Sequence, residues 1–168
     1  MFGLRFPRHL VPLLAMAMAA IALVGCGATT ERGSEAFYRE HSGEATRTAE
    51  ATRALAGEVA GLPAKPSAVQ LEALAVEEHR TRRDLLAAAK WTVAENGEEE
   101  GVSQAEKEIY EATGALLKAM SDIRLYARTR RPADLAGYRF EQASGREYWD
   151  QGITELWYVG HKSAPPKI

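Results

Sequence analysis

Residues 103–129, SQAEKEIYEATGALLKAMSDIRLYART, decide the fold class. From just before this stretch through its end, Val102, Ala105, Ile109, Ala112, Leu116, Ala119, Ile123 and Tyr126 recur at alternating intervals of three and four residues. An α-helix turns once in about 3.6 residues, so this spacing gathers the apolar side chains into one stripe suited to a left-handed bundle. Glu106, Glu108 and Glu111 stand early and Lys118, Arg124, Arg128 and Arg130 late, each sign at the end whose helix dipole it complements. Ser103 followed by Glu106 forms the capping-box pattern that starts a helix.

Turns bound this helix on both sides. Upstream lies Asn96-Gly97-Glu98-Glu99-Glu100-Gly101, whose flanks have helical rather than alternating periodicity, so Asn-Gly here joins helices and not strands. Downstream, Pro132 stops the helix near Arg131, because proline restricts the preceding residue and cannot continue the hydrogen-bond ladder. A fourth helix is expected from Ala133 or Asp134, with Leu135, Tyr138, Gln142, Gly145, Trp149, Ile153 and Leu156 facing inward. Gly145 and Gly152 share a face two turns apart, where the missing Cβ lets a neighbouring backbone come close.

Working further upstream, Gly61-Leu62-Pro63-Ala64-Lys65-Pro66 breaks the chain, and Ser67 with Gln70 forms a second capping box. The helix after it has Leu71, Leu74, Leu85, Ala88 and Ala89 as its apolar face, with Leu86 and Val93 beside them. Its stripe nearly vanishes across Glu77-Glu78-His79-Arg80-Thr81-Arg82-Arg83. The first helix is expected over residues 34–60, capped by Ser34, with Phe37, His41, Ala45, Thr48, Thr52, Leu55 and Val59 at helical spacing. That face is small and polar, and Gly43 within it costs about 1 kcal/mol relative to alanine. Four segments of roughly 40 Å joined by short turns give an all-α, up-down-up-down four-helix bundle over residues 34–159. Residues 160–168, with Pro165-Pro166, read as a disordered tail.

The amino-terminal segment is of another kind. Arg5 and Arg8 precede an apolar run, LVPLLAMAMAAIALV at residues 10–24, that is shorter than the roughly 20 residues a membrane-crossing helix needs. Leu23-Val24-Gly25-Cys26 follows, and Cys26 is the single cysteine of the chain. This segment resembles the lipobox of bacterial lipoprotein precursors. The resemblance implies that residues 1–25 are an export signal removed by signal peptidase II, and that Cys26 carries a diacylglyceryl group on its sulfur. Residues 26–33 would then be a lipidated tether. Two acyl chains or more, at about 0.8 kcal/mol per buried methylene, hold a protein stably at a membrane surface. Gly27 stands where some bacteria read an inner-membrane retention signal, which favours the periplasmic face of the outer membrane in a two-membrane cell.

With Arg5 and Arg8 removed, the 21 cationic and 23 acidic residues leave a formal charge of −4. That balance points away from nucleic acid and from charge-driven lipid binding, so the membrane is expected to be reached through the N-terminal lipid alone. One cysteine excludes an intramolecular disulfide, a CxxC pair and a thiolate metal cluster. No G-x-S-x-G, HExxH, P-loop or dinucleotide fingerprint occurs, so neither catalysis nor a cofactor is expected. His41, Glu44, Glu78 and His79 are the one set on the first two helices from which a metal site could be assembled. Glu-x-x-His, the di-iron spacing, is absent at both histidines.

Two surfaces invite a protein partner of the cell envelope. Arg80, Arg82, Arg83 and Lys90 lie on the second helix, where they would meet an acidic group. The fourth helix concentrates aromatic residues, and Tyr148, Trp157 and Tyr158 fall at the edge of its inner stripe. Exposed Trp, Tyr and Arg are enriched where proteins bind each other. The sequence thus leads to a membrane-anchored, non-catalytic binding or assembly lipoprotein, with a metal- or small-ligand-binding bundle as the alternative.

Overall fold

A computed structural model describes residues 39–95, 104–160 and 164–168, with the side chains at 92–95, 156 and 158–160 outside that description. Residues 1–25, expected to form an export signal, residues 26–33, expected to form a tether beginning at Cys26, and Ser34 lie outside the described residues. So do the 96–101 turn, Ser103 and the Tyr158 side chain.

Helix α1 occupies residues 39–60 of the described chain, α2 Ala68–Glu95, α3 Gln104–Thr129 and α4 Pro132–Gly160. No strand occurs among the described residues. Consecutive helices run antiparallel, as three sets of contacts establish. Thr81 donates its hydroxyl to the Ala51 carbonyl while Trp91 reaches Glu44, pairing α2 with α1. Glu78 meets Arg124 and Arg82 meets Ser121 across α2 and α3. Gly152, Gly145 and Gly137 of α4 lie against Ala105, Leu116 and Asp122 of α3. Trp157 and Pro166 border the same cleft as Ser42 and Thr46 of α1, which closes the ring of an up-down-up-down four-helix bundle.

The helices bury most of the stripe their spacing sets, with His41, Ala89, Leu135 and Gln142 only partly covered. On α3, Ala105, Ile109, Ala112, Leu116, Ala119, Ile123 and Tyr126 are all buried. A fully buried Leu or Ile contributes about 1.5–3 kcal/mol through removal from water. The small, polar face of α1 is also core: Ala45, Thr48, Ala49, Thr52, Leu55 and Val59 are buried. Its hydroxyls are satisfied, Thr52 by the Thr48 carbonyl at 2.8 Å. On α2 the stripe does not vanish between Leu74 and Leu85, because Glu78 and Thr81 continue it as buried polar groups. Both have partners, which is the condition for burying such groups at low cost.

The turns also follow local chemistry. Ser67 N–H donates to Gln70 Oε1 at 2.9 Å and Gln70 N–H to Ser67 Oγ at 3.2 Å, completing the capping box of α2. Between α3 and α4, Arg130 takes the left-handed conformation at φ 55° and its N–H donates to the Tyr126 carbonyl at 2.7 Å. Pro132 is the first residue of α4, one position before the start expected, because the first helical position needs no N–H. Thr129 Oγ1 donates to Asp134 at 2.5 Å, and this bond, with Arg131, holds the Asp134 carboxyl below its usual range against a smaller desolvation effect.

Two expectations are corrected. Trp157 is only 5 % exposed and belongs to the core: it follows Trp149 and Ile153 at four-residue steps, which keeps it on the inner stripe. Residues 164–168 are not a free tail. The Trp149 indole N–H donates to the Pro166 carbonyl at 3.0 Å, Ile168 N–H donates to Asp150 Oδ1 at 2.8 Å, and the Ile168 side chain is buried.

Candidate functional site

The four residues considered for a metal fall into two places. His41 stacks on Trp91, with ring centroids 4.9 Å apart and planes 10° from parallel. Glu44 Oε2 accepts the Trp91 indole N–H at 2.6 Å. Trp91 in turn contacts Trp149, at 6.4 Å and 59°, so this end of the bundle is joined by aromatic packing worth about 0.5–1.5 kcal/mol per pair beyond burial. His79 lies twelve residues from Trp91 on α2, about 18 Å along the helix, and is exposed. Glu78 faces Arg124 instead. Among the described residues no group of three or more His, Cys, Asp or Glu side chains converges.

Glu78 is the central polar residue of the α2–α3 seam. It is 3 % exposed, and Arg124 grips its carboxylate as a fork: Nη2 donates at 2.9 Å and 3.0 Å, Nε at 3.2 Å. Such a bidentate charge-assisted pair satisfies the buried acid. It also places two long side chains between the helices, and a groove opens outside them.

That groove has two adjoining parts. One, of about 530 Å³, has Leu71, Leu74, Ala75, Ile123 and Ala127 on its walls with Arg128 at its rim. The other, of about 630 Å³, is formed by Arg82, Arg83, Leu86, Ala87 and Lys90. His79 and Arg124 border both. Leu86 is 45 % exposed amid the cations. Among the described residues Lys90 has no acidic partner, Arg83 has only Asp84, at 3.4 Å, as a polar partner, and Arg82 only the Ser121 hydroxyl, at 3.5 Å. Contacts this long and exposed hold charge weakly, so these cations are available to a ligand.

Arg82 and Arg83 therefore fall in the groove, as does Lys90. Arg80 is exposed but not part of its wall: two residues before Arg82, it points roughly 160° away around the helix. On α4, Tyr148 is 43 % exposed and Phe140 70 %, whereas Trp157 is withdrawn into the core. Leu86 and Arg124 complete a surface that the cations of α2 alone do not define. Trp91, which organises the far end, follows Ala88 by three residues and was legible as a continuation of the α2 stripe.

No helix among the described residues is long and apolar enough to cross a membrane. Comparison with protein-family models, curated proteins and solved structures finds no match to this chain.

Proposed function

We propose that the protein is a membrane-anchored, non-catalytic binding or assembly lipoprotein of the bacterial cell envelope. Cys26, at the end of Leu23-Val24-Gly25-Cys26, carries the lipid, and the bundle meets its partner through the α2–α3 surface. The observation that carries the binding half is the groove in which Arg82, Arg83 and Lys90 surround the half-exposed Leu86. Cations around an exposed apolar side chain suit a protein contact, where desolvated apolar area supplies affinity and charge supplies orientation. The exposed aromatics Tyr148 and Phe140 on α4 form the competing surface.

Intact-mass analysis of protein extracted from membranes tests the anchor. Loss of residues 1–25 with an acyl increment on Cys26 is expected, and mature protein with an unmodified cysteine overturns it. Partner co-purification tests the surface. Arg82→Glu with Arg83→Glu is expected to deplete the partner, and Tyr148→Ala with Phe140→Ala to spare it; the reverse pattern transfers the contact to α4.

A further inference from the structure

The shape of the α2–α3 groove narrows what occupies it. Its two parts adjoin at His79 and Arg124, which border both. From Leu71 to Lys90 it extends for nineteen residues of α2, about 28 Å at 1.5 Å per residue. Leu74 and Ile123 at its base are closed off, 1 % and 0 % exposed, and the apolar surface it offers is the half-exposed Leu86 with Ala75, Ala87 and Ala127. Cations border each part, Arg83 and Lys90 of α2 the one and Arg128 of α3 the other. Of the two acids bordering it, Glu78 is held by Arg124, and Glu72 sits at one end.

We infer that this groove is a docking channel for an acidic amphipathic helix presented by a partner protein, an inference that rests on the binding reading above. A helix carries an apolar stripe with polar edges, which suits the apolar side chains spaced along this surface at Ala75 and Leu86 with cations beside them. A helix of about nineteen residues would span its length. A phosphate or small carboxylate would engage one group of cations and leave the half-exposed Leu86 uncovered. Glutamate and aspartate beside the incoming stripe would meet Arg83, Lys90 and Arg128, so association should weaken as salt rises.

The test uses the full chain in intact envelopes, with a photoreactive benzoylphenylalanine in place of Ala75, Leu86 or, outside the groove, Phe140. The two groove positions are expected to capture the same protein through one segment rich in Glu and Asp. Their attachment points should lie about eleven residues apart, as the helical rise from 75 to 86 requires. Arg83→Glu with Lys90→Glu should lower the yield at position 86 by about tenfold or more, equivalent to at least about 1.4 kcal/mol, without moving the melting temperature. The neutral pair Arg83→Gln with Lys90→Gln should fall between that variant and the parent chain. Products containing phospholipid only, segments without acids, or unrelated attachment points at 75 and 86 overturn the inference. A protein captured at Phe140 alone overturns it while leaving the envelope-binding reading in place; capture at none of the three removes both.

Discussion

Along α3, the seam with α4 is closed by glycine, whereas the seam with α2 is propped open by a glutamate and an arginine. A Cβ on Gly152 would stand 2.7 Å from the Ala105 carbonyl oxygen, and one on Gly145 would stand 2.6 Å from Leu116 Cγ. Real side chains do not fit there, and the two backbones approach until nothing separates them. On the other flank, Glu78 and Arg124 fill the space between helices, and the groove lies along their outer edge. One helix with one heptad stripe thus serves two seams of opposite kind. Residue volume at the flanking positions, more than hydrophobicity, decides which side of a helix is sealed and which can receive a ligand.

The largest effect that tests this contrast is expected at Gly152. Gly152→Ala drives a methyl into backbone that cannot swing aside, and should destabilise the bundle by about 2–3 kcal/mol in denaturant melts. A neutral result would mean that the α3–α4 seam is looser than described. Arg124→Ala follows, at roughly 1–3 kcal/mol, because it strands the buried Glu78 carboxylate. The lower part of that range applies in proportion to the 40 % exposure of the Arg124 side chain. If Arg124→Ala cost nothing, water would have to reach Glu78 and the open seam would extend deeper.

Tyr138 gives a smaller and pH-dependent effect. Its hydroxyl is buried on α4 with no hydrogen-bond partner among the described residues, and burial pushes its pKa up to about 12. A phenol raised in the folded state contributes fully below the unfolded value near 10 and loses that contribution as pH climbs toward 12. Ultraviolet titration should show one tyrosine ionising near 12. Tyr138→Phe should leave neutral-pH stability unchanged or raise it by up to about 1 kcal/mol, and should reduce the alkaline loss. The smallest effect belongs to Gly137, where the atoms nearest an added Cβ are those of the Asp122 carboxylate, at 2.8 Å. That side chain can turn away, so Gly137→Ala should fall within about 0.5 kcal/mol of neutral or gain part of the ~1 kcal/mol that alanine offers a helix.

Much of this architecture was readable before any coordinates. Three-and-four spacing named the α3 stripe, Ser67 and Gln70 named the start of α2, and Gly145 with Gly152 named a close contact. What escaped depends on partners distant in sequence. Glu78 and Thr81 looked like a gap in the α2 stripe because the groups that satisfy them, Arg124 and the Ala51 carbonyl, stand 46 and 30 residues away. Pro165-Pro166 suggested a loose tail because the Trp149 and Asp150 bonds that dock it leave no local pattern. The cations of the groove were visible, but not their division. Arg80 separates from Arg82 only once the face that meets α3 is known, and Arg124 joins them only through the antiparallel register of α2 and α3.

The central claim is that the open seam binds while the closed seam holds the fold together. Its most direct test measures melting temperature and partner yield from native membranes on the same two proteins, Arg83→Glu with Lys90→Glu in the groove and Gly145→Ala in the closed seam. The account predicts an unchanged melt with partner lost for the groove variant, and a lowered melt with partner retained, below the new transition, for the glycine variant. Partner capture that survives charge reversal at Arg83 and Lys90 with the fold intact would contradict it.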